Sequence, residues 1–461
     1  MQRFIFAVGL CLCATMPALA GPAERLAESV RFRTVSSQDP DQVDFSQFLA
    51  FNDYLMATYP RVFSELEVEV VNDYSLMLTW PGTDPAAGAI LFTAHSDVVP
   101  VEPGTEGDWQ HPAFDGVISD GVVYGRGTLD DKVGVISLLE AVGSLLADDF
   151  QPRKTVVLAI GHDEEIGGRE GAARLAGRMR EKGLHFDWMV DEGGLVVSGS
   201  PILPDHPLGM INVAEKGYLT LILEATAEGG HSSRPLPDSA IGRLSRAMAK
   251  IEANPFPAQL VPPVDAMLQA LAPYSPQPRR MVLENLWLTG SLVAGQMAAD
   301  PTSSSFVRTT TALTMFNAGV KENVIPQRAE ARVNFRLLPG YSVEQVVEYI
   351  RELIDDPQVS IRHERWNNIP PVADHEGEGF AAIAAAISAV YPEAVVVPSL
   401  LGATTDTRHY IDLADDQYRF HGMLVPVSDV GGLHGTNERI SVESFENTVR
   451  IAEQVIRKGA G

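Results

Sequence analysis

Cysteine is almost absent from this chain of 461 residues. Its two cysteines, Cys11 and Cys13, both lie in an apolar segment at the amino terminus. Disulfide bonds therefore cannot hold the remaining chain together, which excludes a small disulfide-stapled scaffold. With 45% hydrophobic residues, the chain is instead long and apolar enough to bury full cores in two or three domains.

Positive charge is also scarce. Lys and Arg number 35 against 60 Asp and Glu, which gives a formal net charge of −25. No run of basic residues interrupts this excess of negative charge. Such a protein repels a phosphate backbone, so we expect no nucleic-acid partner.

Long hydrophobic runs are missing as well. Residues 4–16 form an apolar run of about 13 residues, fewer than the roughly 18 that span a bilayer. Arg3 precedes this run, and the small residues Ala18 and Ala20 follow it at the positions that a signal peptidase reads. The sequence predicts a signal peptide over residues 1–20 and an exported chain, periplasmic or secreted, without stable membrane insertion after cleavage. An N-terminal membrane anchor is the alternative.

Three short apolar runs each end in a cluster of polar residues. The runs cover 89–92, 156–160 and 188–190, and their lack of alternation indicates buried strands of a parallel sheet. Between the first two, residues 132–146 place their apolar side chains on one helix face. This order predicts an α/β sheet whose ligands bind just outside the carboxyl ends of the strands.

The sequence pattern changes after residue 211. Strand and helix patterns between 212 and 368 predict a smaller α+β domain, inserted into a first domain that comprises residues 21–211 and 369–461. Residues 254–300 form an apolar, proline-rich segment inside the inserted domain. Two short helices are predicted in that segment, 264–272 and 281–297.

Ligand-type side chains gather at these strand ends and in two glycine-rich loops. His95 and Asp97 are two residues apart and point to the same side of a strand, so the carboxylate can orient an imidazole that binds a metal. The adjacent Glu164 and Glu165 repel each other unless a cation or shared proton intervenes. Taken alone, Asp130 could equally be a helix N-cap. The whole set suits zinc or a similar divalent ion. Its members are His95, Asp97, Asp130, Glu164, Glu165, Asp191 and His434.

These motifs resemble, in order, those of the dinuclear zinc exopeptidases and deacylases, which include glutamate carboxypeptidase, aminoacylase and succinyl-diaminopimelate desuccinylase. Residues 308–326 look particularly like the branch that contains carboxypeptidase S and the N-acyl amino acid hydrolases. The resemblance implies an α/β fold with a mostly parallel-sheet zinc-exopeptidase catalytic domain and an inserted, smaller α+β (ferredoxin-like) lid domain. The matching segments are 95–97, 125–132, 163–165, 191–194 and 434–435.

By this resemblance the protein binds two Zn²⁺ ions, or similar divalent cations, in each subunit. His95 and Asp191 are expected to hold one ion. Glu165 and His434 are expected to hold the other, and Asp130 to bridge the two.

The resemblance also implies the catalytic residues. Glu164 is expected to act as the general base that takes a proton from water and later delivers one to the leaving amine. Asp97 is expected to orient His95 from behind. A cis peptide bond between Asp130 and Asp131 is implied too.

Substrate contacts are implied in the lid and in one loop of the catalytic domain. His231 is expected to donate to the oxyanion, with capping of the following helix as its alternative. Arginine suits a substrate carboxylate in an acidic protein, and a structural ion pair is the alternative for each. The implied substrate-binding residues are His231, Asn323, Arg336, Gly402, Thr404 and Arg408.

Together these features predict a zinc-dependent hydrolase that cleaves an amide next to a free carboxylate, as a carboxypeptidase of short peptides. An N-acyl amino acid amidohydrolase is the alternative, and an inactive periplasmic peptide- or metal-binding protein is a remote one. The apolar segment 254–300 is a candidate lining for an acyl chain, with ordinary core packing as its alternative. The lid is a candidate homodimer contact.

Overall fold

A computed structural model describes residues 21–235, 237–366 and 369–461, so the predicted signal peptide lies outside the described residues. The helices are α1 (Pro22–Val30), α2 (Phe45–Thr58), α3 (Pro60–Glu65), α4 (Lys132–Ala147), α5 (Ala172–Glu181), α6 (Ala240–Ala253), α7 (Pro262–Leu271), α8 (Arg279–Leu283), α9 (Leu286–Ala299), α10 (Pro301–Val307), α11 (Val343–Ile354), α12 (Glu378–Val390) and α13 (Val442–Ala460). The strands are β1 (Glu67–Val71), β2 (Ser75–Trp80), β3 (Ala89–His95), β4 (Val117–Ser119), β5 (Val122–Tyr124), β6 (Thr155–Gly161), β7 (Phe186–Asp191), β8 (Val196–Ser198), β9 (Leu208–Glu215), β10 (Gly217–Thr226), β11 (Gly230–His231), β12 (Thr310–Ala318), β13 (Val324–Ile325), β14 (Arg328–Leu337), β15 (Val359–Trp366), β16 (Val395–Leu401), β17 (Ala414–Arg419), β18 (Leu424–Pro426) and β19 (Arg439–Ser441).

Ten strands form the large sheet, in the order β1-β2-β6-β3-β7-β17-β9-β8-β18, with β16 paired to β9. Its centre is parallel, because β3 runs parallel to both β6 and β7, and β17 parallel to β7. On β3, Ile90 and Phe92 belong to the core under α4 and α13, whereas Leu91 belongs to the core under α5. The strand is thus buried on both faces, which explains its unbroken apolar sequence. The predicted mostly parallel α/β sheet is confirmed.

A second sheet is antiparallel, with strands in the order β12-β14-β10-β15. Helices α6 and α11 join its strands in the chain order β10-α6-β12-β14-α11-β15, and they share one core with it. This βαββαβ arrangement is the ferredoxin-like architecture that the resemblance implied. Strand β9 stays in the large sheet up to Glu215, so the chain crosses between the sheets at Lys216, later than the predicted limit of 212.

The apolar segment forms helices α7 to α10, between α6 and β12. The predicted helix 281–297 is divided into α8 and α9, because the backbone of Asn285 leaves the helical region (φ −125°, ψ 40°). Helix α7 packs against β16, and its buried residues Val264, Met267 and Leu268 share a core with Val397. Within the described ranges, no helix combines the length and apolar character needed to cross a membrane.

Candidate active site

Three neighbouring parallel strands end at the same edge of the large sheet. Strand β3 ends at His95, β6 at Gly161 and β7 at Asp191. The turn after β6 carries Glu164 and Glu165. The structure therefore gathers at one edge the polar clusters that followed the predicted strands, as expected for an α/β sheet.

Asp97 holds two parts of this edge together. Its Oδ1 lies 3.2 Å from Nδ1 of His95, and its backbone carbonyl oxygen lies 3.0 Å from the same ring nitrogen. Its carboxylate also accepts hydrogen bonds from the backbone amides of Glu164 (3.1 Å) and Glu165 (3.2 Å). With Nδ1 engaged, Nε2 of His95 faces Asp130. Asp97 thus orients His95 and fixes the turn that carries both glutamates.

The loop that presents Asp130 is shaped by a buried carboxylate from far along the chain. Oε1 of Glu438 accepts hydrogen bonds from the backbone amides of Gly127 (3.0 Å), Leu129 (2.7 Å) and Asp130 (3.2 Å). Its Oε2 pairs with Nη1 of Arg126 at 2.5 Å. The sequence analysis missed Glu438, because no local pattern signals a partner more than 300 residues away.

Asp130 lies between two imidazoles. Its Oδ1 is 3.0 Å from Nε2 of His95, and its Oδ2 is 3.0 Å from Nε2 of His434. The same nitrogen of His434 is 3.1 Å from Oε2 of Glu165. The peptide bond between Asp130 and Asp131 is cis, as the resemblance implied. Four of the five predicted ligands thus converge.

Asp191, the fifth predicted ligand, is engaged elsewhere. Its Oδ1 accepts a hydrogen bond from the hydroxyl of Thr93 at 2.7 Å, and its Oδ2 accepts one from the hydroxyl of Thr407 at 2.9 Å. Glu192 reaches the cluster instead, with Oε1 3.9 Å from Nε2 of His95. In the described structure Asp191 is thus held by two threonine hydroxyls, and Glu192 lies near His95. Metal binding by Asp191 remains a prediction.

Glu164 lies close to His95 and Glu192. Its carboxylate groups with His95 and Glu192, their ligand-type atoms lying within 4.8 Å of one another. Its Oε1 is 3.7 Å from Nη2 of Arg408, which is in turn 3.5 Å from Oδ1 of Asp406. Arg408 therefore has the structural ion-pair partners that the sequence analysis left open.

The electrostatics of the cluster favour a bound cation. Burial raises the pKa of the Glu164, Glu165 and Glu192 carboxyls, and nearby carboxylates add to the effect. Hydrogen bonds to Asp130 and Glu165 raise the pKa of His434 to about 10. Burial alone would raise the pKa of Asp130, but hydrogen bonds from His434 and His95 lower it below its ordinary value. A cation at this point would relieve the repulsion between the carboxylates.

The donor atoms also fit a metal site. Ligand-type atoms of His95, Asp130 and Glu165 lie within 4.8 Å of one another. Oε1 of Glu165 is buried and has no hydrogen-bond partner. Imidazole nitrogens with carboxylate oxygens are a donor set that suits zinc and similar divalent ions.

Two clefts meet at this cluster. One, of about 1110 Å³, is lined by three arginines, Arg169, Arg336 and Arg408, together with Tyr218. The guanidinium of Arg336 stacks over the ring of Tyr218 at 4.7 Å. We call this the cationic cleft.

The other cleft, of about 790 Å³, lies beside Asp130 and Glu192. We call it the apolar cleft, because five large apolar side chains line it. They are Leu129, Leu195, Leu401, Met423 and Leu433. Thr404 lines both clefts, and His421, which the sequence analysis missed, lines the apolar cleft with its Nε2 3.2 Å from Oδ1 of Asp131.

The lid residues His231 and Asn323 do not reach either cleft in the described structure. His231 lies on the exposed strand β11, which pairs with β13 in a separate two-stranded sheet. The backbone oxygen of Asn323 accepts a hydrogen bond from the backbone amide of Ser232 beside this sheet. Gly402 is exposed at the loop that carries Thr404, with open space where a Cβ would be. Substrate contact by these three residues remains a prediction.

Most of the chain matches one known protein family. Residues 91–458 match the model of peptidase family M20/M25/M40, which is most of the chain. The chain belongs to peptidase family M20/M25/M40.

Relatives of this M20 chain include proteins named for carboxypeptidase S and for N-acyl amino acid hydrolysis, the branch that the sequence predicted. It is 36% identical to "Probable carboxypeptidase S-like 2" of Dictyostelium discoideum, over 94% of this chain and 84% of the relative. It is also 36% identical to the mouse protein "N-fatty-acyl-amino acid synthase/hydrolase PM20D1", over 94% of this chain and 87% of the relative. The predicted enzyme class and branch are confirmed.

A solved structure supports the fold of this M20 peptidase. The M20 family metallo-carboxypeptidase Sso-CP2 from Sulfolobus solfataricus superposes with a TM-score of 0.70, covering 96% of this chain and 99% of that one. The two sequences are only 17% identical, so this likeness concerns the fold alone.

Proposed function

We propose that this M20 peptidase hydrolyses the amide bond of N-acyl amino acids that carry an apolar acyl group. The observation that carries the proposal is the pair of clefts that meet at Glu164, Glu165 and His434. One cleft offers cations and the other offers apolar side chains. A substrate with a free carboxylate at one end and an apolar chain at the other fits this arrangement, with its amide at the cluster.

The cationic cleft suits the carboxylate of the substrate. Arg336 and Arg169 line it, and neither forms an ion pair with a carboxylate in the described part of the chain. In a protein with a net charge of −25, a local pair of cations is needed to attract an anionic substrate. Arg408 is 7% exposed and already faces Glu164 and Asp406, so we assign it first to holding Glu164 in place.

The apolar cleft suits the acyl group. Its five large apolar side chains belong to the catalytic domain and lie next to Asp130 and Glu192. In the segment 254–300, by contrast, Val261, Met267 and Leu268 pack in a core with β16, and neither cleft includes them. We therefore place the acyl chain in the apolar cleft and favour core packing for that part of the segment.

The cluster itself would hold two divalent cations. We assign His95 and Glu192 to one ion, Glu165 and His434 to the other, and Asp130 to both. When bound, such ions supply Lewis acidity to the carbonyl of the scissile amide. Zinc is the ion that this donor set and the family favour.

Glu164 is the residue that we propose to move protons. It takes a proton from the attacking water on its carboxylate, and it gives a proton to the amide nitrogen as the carbon–nitrogen bond breaks. The products are a carboxylic acid and a free amino acid, which together contain the atoms of the amide and one water. Asp97 holds the backbone of Glu164 during both transfers.

Carboxypeptidase action on short peptides is the second candidate, because the cationic cleft would hold a peptide's terminal carboxylate equally well. The relatives include "Carboxypeptidase S" of Saccharomyces cerevisiae, 29% identical over 94% of this chain. A peptide would then place an apolar side chain in the apolar cleft.

A substrate panel tests the proposal. The purified protein, loaded with zinc, is offered N-acyl amino acids of increasing chain length and dipeptides with matched carboxyl-terminal residues. We expect kcat/KM to rise with acyl chain length and to exceed that for dipeptides. Higher turnover of dipeptides would favour the carboxypeptidase, and hydrolysis that a chelator leaves unchanged would reject both candidates.

We also propose that the lid supports a homodimer. The edge strand β12 exposes Leu313, Met315 and Phe316, and an exposed apolar edge strand is a typical pairing surface. Sedimentation analysis of the protein and of Met315→Glu tests this contact, and a monomeric parent protein would reject it. Export also remains a prediction, which the amino-terminal sequence of the secreted protein would test.

A further inference from the structure

Helix α9 is apolar but largely exposed. Its 14 residues include no charged side chain, and only Leu286 and Ala294 are buried. Three large side chains on its outer side, Trp287, Leu288 and Leu292, are 83%, 71% and 72% exposed. We call these three residues the tip patch. An exposed apolar cluster of this kind marks an interaction surface, since an apolar helix is otherwise buried or placed in lipid.

The size of the tip patch bears on what it contacts. Trp287 alone can cover about 150–250 Å², and with the two smaller leucines the patch exposes roughly 500 Å². A stable dimer buries about 800 Å² on each partner. The patch is therefore small for a contact with a second copy, and exposures above 70% show that its side chains protrude from the helix.

The charges around the tip patch differ from those of the rest of the chain. Residues 266–299 carry only three charged side chains, in a protein with a net charge of −25. Glu284 is paired with Arg280 at 2.7 Å. Arg279 is exposed and has no carboxylate partner among the residues that the structure describes. Arg279 begins α8, which packs against α9. An unpaired guanidinium on this neighbouring helix complements a phosphodiester head group above a hydrocarbon layer.

We propose that the tip patch docks the protein peripherally on a phospholipid bilayer, with Trp287, Leu288 and Leu292 entering the head-group region and Arg279 contacting lipid phosphate. Tryptophan and leucine on one side of a helix, with a basic residue on the adjoining helix, suit a surface that lies in a membrane interface. The overall negative charge favours zwitterionic lipid over anionic lipid, because anionic head groups repel the remaining surface. The proposal does not depend on the substrate assigned above.

Vesicle flotation tests the proposal. The full chain is mixed with phosphatidylcholine vesicles, and the fraction that floats is compared between the parent protein and a Leu288→Ser, Leu292→Ser double variant. We expect the double variant to bind at least tenfold less. Binding of the parent protein should change little between low and high salt, because apolar contacts dominate. Leu49→Ser combined with Val70→Ser is the matched control, since both residues are exposed apolar side chains of the catalytic domain, on α2 and β1.

Fluorescence gives an independent measurement. Phenylalanine lacks indole emission, so the difference in emission between the parent protein and Trp287→Phe isolates the signal of Trp287 from that of the other four tryptophans. Vesicles with brominated acyl chains should quench this difference signal and shift it to the blue. Equal flotation of the double variant and the parent protein, absence of flotation, or an unquenched Trp287 would each overturn the proposal.

Two further measurements distinguish docking on lipid from misfolding of the variant and from dimerisation through the tip patch. Hydrolysis of a soluble substrate should be unchanged in the double variant, which shows that the variant folds and leaves the catalytic proposal untouched. Sedimentation without vesicles compares the oligomeric state of the two proteins. A parent dimer that becomes monomeric in the double variant would mean that the patch contacts a second copy, and docking on lipid would be rejected.

Discussion

Thr407 donates a hydrogen bond from its hydroxyl to Oδ2 of Asp191 at 2.9 Å. The hydroxyl of Thr407 also lies 2.7 Å from that of Thr405, which is in turn 3.0 Å from Oε2 of Glu215. Asp191 therefore anchors the loop that carries Thr404 and Arg408, and it does so from within the sheet. We predict that this role is structural and that Glu192, whose Oε1 lies 3.9 Å from Nε2 of His95, binds the metal instead.

This division of roles predicts opposite effects for two isosteric substitutions. Glu192→Gln should lower the affinity for one of the two metal ions by about 100-fold or more, because a neutral amide is a poor ligand for a divalent cation. Asp191→Asn should keep both ions and lower the free energy of unfolding by about 1–3 kcal/mol. Metal content after dialysis and a denaturant titration measure the two effects. Loss of an ion from Asp191→Asn with full content in Glu192→Gln would restore the original assignment.

The contacts of Asp97 predict that its replacement weakens zinc binding. Asp97→Asn removes one acceptor oxygen from a carboxylate that serves the ring of His95 and two backbone amides. We expect zinc affinity to fall by about 10- to 100-fold, as for other partners of metal-binding histidines. Competition with a chromophoric chelator measures this change.

Asp163→Asn is the matched control for Asp97→Asn. Asp163 is also buried and accepts two backbone amides, those of Glu170 (2.8 Å) and Gly171 (2.7 Å). It has no hydrogen bond to an imidazole in the described structure. An equal loss of zinc affinity in both variants would show that Asp97 acts only by holding backbone.

The sequence predicted those cluster residues that directly follow a recognisable strand. It did not predict the direction of single side chains or contacts between residues far apart in the chain. His95, Glu164 and Glu165 follow buried parallel strands, and strand ends of one sheet share an edge. The choice between Asp191 and Glu192 turns on the direction of a single side chain at a strand end, which an apolar run without alternation does not reveal. Glu438 and His421 lie far along the chain from the loop residues that they contact. The approach of His231 depends on how the lid sits, which no local pattern encodes.

Glu164→Gln should separate metal binding from turnover. The substitution keeps the shape of the side chain but removes its ability to take up a proton, so we expect both ions to stay and kcat to fall by about three decades or more. Glu165→Gln is the matched comparison, because it should lose metal instead. Steady-state kinetics with metal analysis on the same samples distinguish the two, and near-normal kcat in Glu164→Gln would reject its role as general base.

Arg336 should act on substrate binding rather than on chemistry. In Arg336→Met we expect KM to rise by about 10- to 100-fold with kcat little changed, since a charge-assisted contact to a remote carboxylate contributes binding in ground and transition state alike. The preference for a free acid over its methyl ester should also disappear. Arg328→Met, on the same strand but paired with Glu224 and Glu330, is the control. A fall in kcat at constant KM would argue that Arg336 acts on the reacting group.

The low pKa of His409 in the folded protein predicts how the free energy of unfolding changes with pH. Burial, followed by the nearby charge of Arg408, lowers the pKa of His409 to about 4, and its Nε2 lies 3.0 Å from the backbone oxygen of Gly167. The unfolded chain takes up a proton near pH 6.5, whereas the folded chain does not until about pH 4, so unfolding binds a proton in between. Stability from this group is therefore present above pH 6.5 and is lost as the pH falls toward 4. Between pH 7.5 and 5 the loss should be about 2 kcal/mol. Denaturant titrations of the zinc-loaded parent protein and of His409→Gln at both pH values measure it. The change in stability between the two pH values should be about 2 kcal/mol smaller in His409→Gln. It should be unchanged in His185→Gln, which replaces an exposed imidazole. An unchanged pH dependence in His409→Gln would show that other groups cause it.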